Sequence, residues 1–506
     1  MTGPIELTGH DLNPESLAAV AEGGAPVTIA DTARRAMRTG RAVVDKYIAE
    51  GIPAYGLNTG LGARAAETLP ADEIAAFSAH LVRGRAQGIG APLLPAEVRA
   101  VMLARLNTLL TGAAGASPHI ADHLAEALNR NIIAVMPRTA SIGAGDLTAM
   151  AALPFALIGE GEILIDGAPV PAAEALKAHG LEPLELGPKD GLVLCNITAF
   201  SVGLAGLAAN AARRALTGLQ IAAALSFEGF RGNTSPLEDA VAGTRPQAGQ
   251  VVAAAQLRHL LQGGLLLDQG AARRLQDPLS FRCVAQVNGS AGAQLGALED
   301  AVTIELNHSA DNPLVLVGEN RITSSGNFHL PHLSLQIDGT ARALAWSAND
   351  AVSRIQRMMN AALSGLPPLL SSHATGRAGF GPLLKPLEAL RAEIIHLSAP
   401  VPVMASHNAD GIEDSLTFAP LAAQKLSQLT AKLNLIAAFE LIAAAQAVDL
   451  AQPQKVAPRL AKVHRAVRGI CPFIEEDRPL GRQIEAVAEE LVASGRLAQI
   501  TGLTDG

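Results

Sequence analysis

Aromatic residues are scarce: one Trp, two Tyr and 11 Phe in 506 residues, or 3%. The hydrophobic share is still 49%, so it is carried by Ala, Leu, Val and Ile. That composition suits packed helices and argues against an aromatic-rich sandwich. Charge is scarce as well, at 17%. A chain so poor in charge is expected to hide surface between subunits. The net charge is −8 and no long basic run occurs, which argues against a nucleic-acid partner. The three cysteines, Cys195, Cys283 and Cys471, have no CxxC spacing and are odd in number. Reduced thiols in a cytoplasmic protein are the simple expectation. No zinc spacing, P-loop or dinucleotide fingerprint is present, so no metal is expected. The N-terminus has neither a basic start nor an apolar run, and no signal peptide is expected. The most apolar helix, near residues 433–448, carries Asn434, Glu440 and Gln446. It reads as a buried bundle helix, with no membrane span expected.

What is present is long helical periodicity. Residues 198–229, 339–359 and 416–450 hold it, lengths that imply a bundle. Shorter helices are expected over residues 32–50, capped by Asp31 or Thr32, over 71–79, over 96–110 as an amphipathic helix, and over 118–130. Residues 159–171 contain Asp166-Gly167, a hairpin signal, and residues 314–322 form a second β excursion. Three consecutive segments are expected: 1–197 with catalytic loops, 198–450 as the long-helix bundle, and 451–506 as a helical tail.

The chemistry concentrates in loops. Residues 139–147 read T-A-S-I-G-A-G-D-L, a small-residue loop in which Asp146 can cap the following helix. Tyr55 sits in Y-G-L-N-T-G-L-G, where a phenol serves as a general base or as a packing anchor. Arg83 and Arg85, expected in a loop, bind an anion or form a solvated pair. Asn196 follows an apolar run. Gln276, Asp277 and Arg282 cluster, and Arg282 either grips a carboxylate with two hydrogen bonds or closes a helix-end salt bridge. Phe328 and His329 follow a Gly turn, and Lys385 stands among apolar residues. Asp410, Glu413 and Asp414 share a turn-rich stretch without the oxygen pattern of a calcium loop.

In order and spacing these pieces resemble the aromatic amino-acid ammonia-lyases, the histidine and phenylalanine lyases, from about residue 5 to about residue 502. The resemblance implies a mainly α fold of the ammonia-lyase/fumarase-like type, a long central helical bundle with small β excursions. It also implies a homotetramer whose sites take loops from three subunits, acting on a small molecule. Tyr55 matches the catalytic base, Asn196 the asparagine near the cofactor, and Gln276 and Arg282 the carboxylate-binding segment. Phe328 matches the active-site phenylalanine, and Glu413-Asp414 the Glu-Asp pair of the histidine lyases.

Three departures redirect the reading. The family's Ala-Ser-Gly triad cyclises to a methylidene-imidazolone electrophile. Here the stretch is one residue short, no serine precedes Gly145, and the cofactor is expected to be absent. Arg85 replaces the histidine that contacts imidazole in the histidine lyases, and Leu279 replaces a tyrosine. An elimination without the electrophile needs a good leaving group, such as a quaternary trimethylammonium. Glu413 can accept an imidazole N–H, and Arg85 can donate to a partly anionic sulfur. The expected substrate is ergothioneine, the betaine of thiol-histidine, giving thiourocanate and trimethylamine, with Lys385 adding positive charge near the carboxylate. The alternatives are a histidine or other aromatic ammonia-lyase or aminomutase, and a cofactor-less binding protein.

Overall fold

The computed structural model describes residues 3–61, 67–70, 73–372 and 376–503. Gly62, which ends the Tyr55 motif, Ala71, the expected start of a helix, and the last residues of the tail lie outside these. Helices dominate, with short two- and three-stranded sheets between them. The longest are Ala199–Phe230, Val284–Asn307, Pro331–Met358 and Ala419–Ala451. The 33 residues of Ala419–Ala451 span about 50 Å at the rise of an α-helix. Two stretches, Asp190–Phe230 and Ala419–Ala451, are long and apolar enough to cross a membrane. Their most apolar windows are 100% and 78% buried within the protein, which assigns that apolarity to packing.

The chain forms two compact units, each discontinuous in sequence. The first comprises Met1–Asn210, Leu298–Ile337 and Val401–Gln424; the second comprises Ala211–Ala297, Asp338–Pro400 and Lys425–Gly506. The three segments expected from the sequence follow the chain instead, a different kind of division.

In the first unit, strands Ile5–Leu7 and Val27–Ile29 pair in parallel. Helix Pro95–Leu109 begins at its proline as expected, but it is not amphipathic: every residue from Val98 to Leu109 is buried. Its Arg99 is sunk among backbone carbonyls. The guanidinium donates to Val20 O at 2.8 Å and to Leu128 O at 2.9 Å. These carbonyls lie at the C-terminal ends of helices Pro14–Ala21 and Pro118–Asn129, where a cation complements the unsatisfied C=O groups. Helix Asp31–Ala49 is capped by neither Asp31 nor Thr32; Ala30 takes the cap position without a side-chain bond. The hairpin Glu162–Ile165/Ala168–Pro171 forms around Asp166 and Gly167, both at positive φ, as its turn requires. The expected loop at Arg83 and Arg85 is instead the last turn of helix Ile74–Arg85. Strand pairs Ile89–Pro92 with Pro137–Thr139, and Ala405–His407 with Glu413–Ser415, add β structure that the sequence did not announce.

In the second unit, Phe281 stacks on Phe230 at 4.2 Å and meets the edge of Phe227 at 5.5 Å. This aromatic cluster pins the one-turn helix Leu279–Arg282. Arg354 and Glu440 form a fully buried two-pronged pair, and Arg354 Nη1 also donates to Ser280 O at 3.2 Å.

Candidate active site

The loop 139–147 lies at the centre of the first unit's chemistry. Gly143 and Gly145 take φ of +78° and +70°, and Asp146 takes +38°, so the backbone curls in a region few side chains tolerate. Side chains from distant segments then hold it. Thr417 Oγ1 donates to Gly143 O at 2.8 Å, and Phe418 N donates to Ile142 O at 3.1 Å. Ile197 N donates to Gly145 O at 3.0 Å, and Gly145 N donates to Phe328 O at 3.3 Å.

Asp146 departs from the sequence expectation. It occupies the cap position of helix Leu147–Leu157, but its carboxylate makes no cap bond. It turns inward and accepts from Ser201 N at 2.8 Å, from Ser201 Oγ at 2.9 Å and from Ser141 Oγ. Burial pushes its carboxyl above the usual range, while the bonds from Ser141 and Ser201 act in the opposite direction.

Against this loop lies a cavity of about 370 Å³. Tyr55, Arg85, Asn196 and Glu413 all line it, with Ser141, Ala144, Asp146, Thr148 and Asn408. Four segments far apart in sequence therefore converge as the motifs implied. Phe328 backs the loop: its ring lies 3.7 Å from the point a Cβ on Gly145 would occupy. Glu413 is delivered by a tight turn in which Ala409, Asp410 and Gly411 all take positive φ and Asn408 pairs with Glu413. Asp410 and Asp414 are exposed.

Residue type alone does not distinguish Arg83 from Arg85 or Tyr47 from Tyr55, and the structure places one of each at the cavity. Arg83 is bound to Glu160 through two hydrogen bonds of 2.7 and 2.6 Å, so Arg85 is the arginine that lines the cavity. Tyr47, the other tyrosine, accepts from Ile322 N at 3.0 Å and packs in a core cluster, which leaves Tyr55 as the cavity's phenol among the described residues. Cys195 is buried and its thiol is pushed up to about 12 by desolvation, so it offers no thiolate nucleophile.

Gln276, Arg282 and Lys385 belong to the second unit. Arg282 Nη1 donates to Gln276 Oε1 at 2.7 Å, so neither a helix-end salt bridge nor a free fork describes it. Lys385 is exposed in the first turn of helix Leu384–Leu397, not enclosed among apolar residues. Asp277 is buried, its Oδ2 accepts from Asn233 N, and its Oδ1 has no hydrogen-bond partner among the described residues.

The residues do not fit a methylidene-imidazolone. The ring needs a serine to dehydrate, and Ala144 stands before Gly145. A Cβ on Gly143 would fall 2.2 Å from Thr417 Oγ1, and one on Gly145 would fall 2.5 Å from Asn196 Oδ1. Ser141 is the loop's only serine, and it is committed to Asp146 and to Gly143 N, which donates to it at 3.0 Å.

Sequence reasoning missed Ser141, Thr148 and Asn408 as lining groups and Ser201 as the partner of Asp146. Ser201 lies inside an apolar helical run, where a single serine gives no periodic signal. Asn408 could have been found beside the Glu413 motif.

Comparison with known proteins identifies the family. Residues 12–469 match the aromatic amino acid lyase family. A histidine ammonia-lyase of Anaeromyxobacter sp. (strain K) is 37% identical over 502 residues, covering 97% of this chain and 99% of the relative. The crystal structure of the ergothioneine-degrading enzyme ergothionase from Treponema denticola superposes with a TM-score of 0.91 at 30% identity, covering 98% of this chain and 99% of that one. Histidine ammonia-lyase from Trypanosoma cruzi gives a TM-score of 0.91 at 29% identity, with 99% and 95% covered. With the converging loops and this family match over most of its length, the chain belongs to the aromatic amino acid lyases and is a carbon–nitrogen lyase.

Proposed function

We propose that the protein eliminates trimethylamine from ergothioneine to give thiourocanate, without a methylidene-imidazolone. One observation carries this reading: the loop that would form the electrophile lacks the serine it needs, with Ala144 directly before Gly145. A primary amine leaves poorly unless activated. A quaternary ammonium leaves as neutral trimethylamine and has no lone pair to add to an electrophile. The similarity to an ergothionase supports the same substrate.

In the proposed mechanism the Tyr55 phenolate removes a proton from Cβ. That electron pair becomes the Cα=Cβ double bond as the Cα–N bond breaks, and nitrogen departs with its pair as trimethylamine. Glu413 accepts the ring N–H and Arg85 donates to the thioimidazole sulfur; both line the cavity. Asn196 and Phe328 bound the reacting end. We further propose a cytoplasmic homotetramer in which each site is completed by loops of neighbouring copies, with Gln276 and Arg282 holding the carboxylate and Lys385 adding positive charge.

The second reading is a histidine ammonia-lyase, favoured by the name of the 37%-identical relative. Incubation with ergothioneine and with histidine separates the two. Trimethylamine and a conjugated thioimidazole product are expected from the first, and little from histidine. Urocanate and ammonia released from histidine at ordinary lyase rates would overturn the proposal. Tyr55→Phe is expected to cost at least about a hundredfold in kcat; near-wild-type turnover would remove Tyr55 from the mechanism.

A further inference from the structure

Behind the cavity wall lies a lysine that the mechanism does not use. Lys189 is 2% exposed and sits at φ +73° at the start of helix Asp190–Cys195. Its ammonium makes no direct contact with a carboxylate among the described residues. It donates instead to two backbone carbonyls, Ala114 O and, at 3.2 Å, Pro313 O. The residue before Pro313 reaches the cavity wall: Asn312 O accepts from Asn196 Nδ2 at 2.8 Å. On the other side of that backbone, Asp311 is held by Arg105 at 2.8 Å and by Ser309 Oγ at 2.7 Å. The carbonyl that orients Asn196 is thus fixed between two buried cations, Arg105 through Asp311 and Lys189 through Pro313. Asn196 is confined on its other side, because Gly145 leaves no more room than its Oδ1 needs.

We propose that Lys189 is a positioning residue for the elimination, acting through the backbone of Asn312 and Pro313 to hold the Asn196 amide in the cavity. This rests on the lyase chemistry of the cavity, not on which amine leaves. The ammonium is kept at a cost. Desolvation lowers Lys189 to about 8, with Arg105 and Arg41 also lowering it and Asp311 and Asp190 opposing them. A buried ammonium whose desolvation opposes folding, bonded one residue from a cavity-orienting carbonyl, is the pattern of a group retained for function. Charge-assisted hydrogen bonds to the two carbonyls are the stronger kind and weaken when the proton leaves.

A double-mutant cycle with a pH profile tests this, using whichever of ergothioneine or histidine the wild-type enzyme turns over. Lys189→Met is expected to lower kcat at least about tenfold with KM within about threefold, because misplacing a group in the site costs rate more than affinity. In an Asn196→Ala background the same change is expected to cost almost nothing further. Wild type is expected to lose kcat as pH rises through about 8, and Lys189→Arg, charged throughout, to move that loss to higher pH. An equal Lys189→Met loss in both backgrounds would overturn the proposal, and so would an unmoved alkaline limb in Lys189→Arg. The arginine variant carries the test alone should Lys189→Met not fold. If wild type eliminates from neither substrate, the proposed reaction fails separately. The cycle is then read as affinity for urocanate and thiourocanate by calorimetry, where additive losses would sink the positioning role.

Discussion

Two of the buried cations, Arg354 and Lys189, are held in opposite ways. Arg354, in the second unit, is 0% exposed and lies in a two-pronged pair with Glu440 at 2.5 and 2.8 Å, with Ser226 also donating to the carboxylate. Lys189, in the first unit, has only carbonyls within hydrogen-bond reach among the described residues. The first arrangement compensates a charge where the chain needs architecture, since Arg354 also fixes Ser280 O in the one-turn helix that carries Arg282. The second leaves a charge under-compensated beside the cavity. Stability and function therefore favour different partners for the same kind of buried group.

Breaking the compensated pair gives the largest expected effect. Glu440→Leu leaves Arg354 buried and unpaired and is expected to cost about 3–5 kcal/mol of stability, read by urea unfolding. Replacing both, as Arg354→Met with Glu440→Leu, is expected to recover most of that loss, because the pair then vanishes together with its desolvation cost. A double variant as unstable as Glu440→Leu would show that Ser280 O, and not the pair, dominates.

The next effect probes the cavity loop. Gly143→Ala with Ala144→Ser writes Ala-Ser-Gly into the chain. The added Cβ would meet Thr417 Oγ1 at 2.2 Å and Phe418 N at 2.8 Å at a positive φ. We expect about 1–3 kcal/mol of destabilisation. No loss of two waters is expected in the intact mass. A mass lower by two waters would show that the loop can still cyclise.

Much of this was legible in the sequence. The long helices, the hairpin at Asp166-Gly167 and the convergence of Tyr55, Arg85, Asn196 and Glu413 follow from periodicity, turn chemistry and motif resemblance. What stayed hidden depends on burial. Helix Pro95–Leu109 carries Arg99, Arg105 and Asn107, which suggested a wet face, yet all three are buried and bonded. Asp146 looked like a cap because caps are local, while one of its actual partners, Ser201, is 55 residues away. Lys189 gave no signal, because nothing in P-K-D-G reveals that its ammonium enters the core.

For Lys189→Met the comparison predicts a small change in stability. Removing the ammonium relieves its desolvation but orphans Ala114 O and Pro313 O, so the net at pH 7 is expected within about 1 kcal/mol. The folded pKa is about 8, below the unfolded value of about 10.4. The unfolded chain therefore binds more protons between these values, and this group's contribution favours folding increasingly as pH rises across that window. Loss of this rise in Lys189→Met is the signature. A loss of stability as large as that of Glu440→Leu would erase the distinction between the two cations.

A comparably small effect concerns Glu305, in the first-unit part of helix Val284–Asn307, whose carboxyl burial pushes up to about 7. Its sign mirrors that of Lys189. Between the unfolded value of about 4.3 and the folded value the native state keeps a proton that the unfolded chain has released. Stability from this group therefore falls as pH rises through that window and stays low above it. Glu305→Gln removes the ionisation and leaves the shape. It is expected to raise stability by about 1 kcal/mol at pH 8 and to change it little at pH 4, read as the difference in urea midpoint between the two. An equal shift at both pH values would mean that packing, and not the charge, sets the cost. The contrast with Lys189 would then rest on the lysine alone.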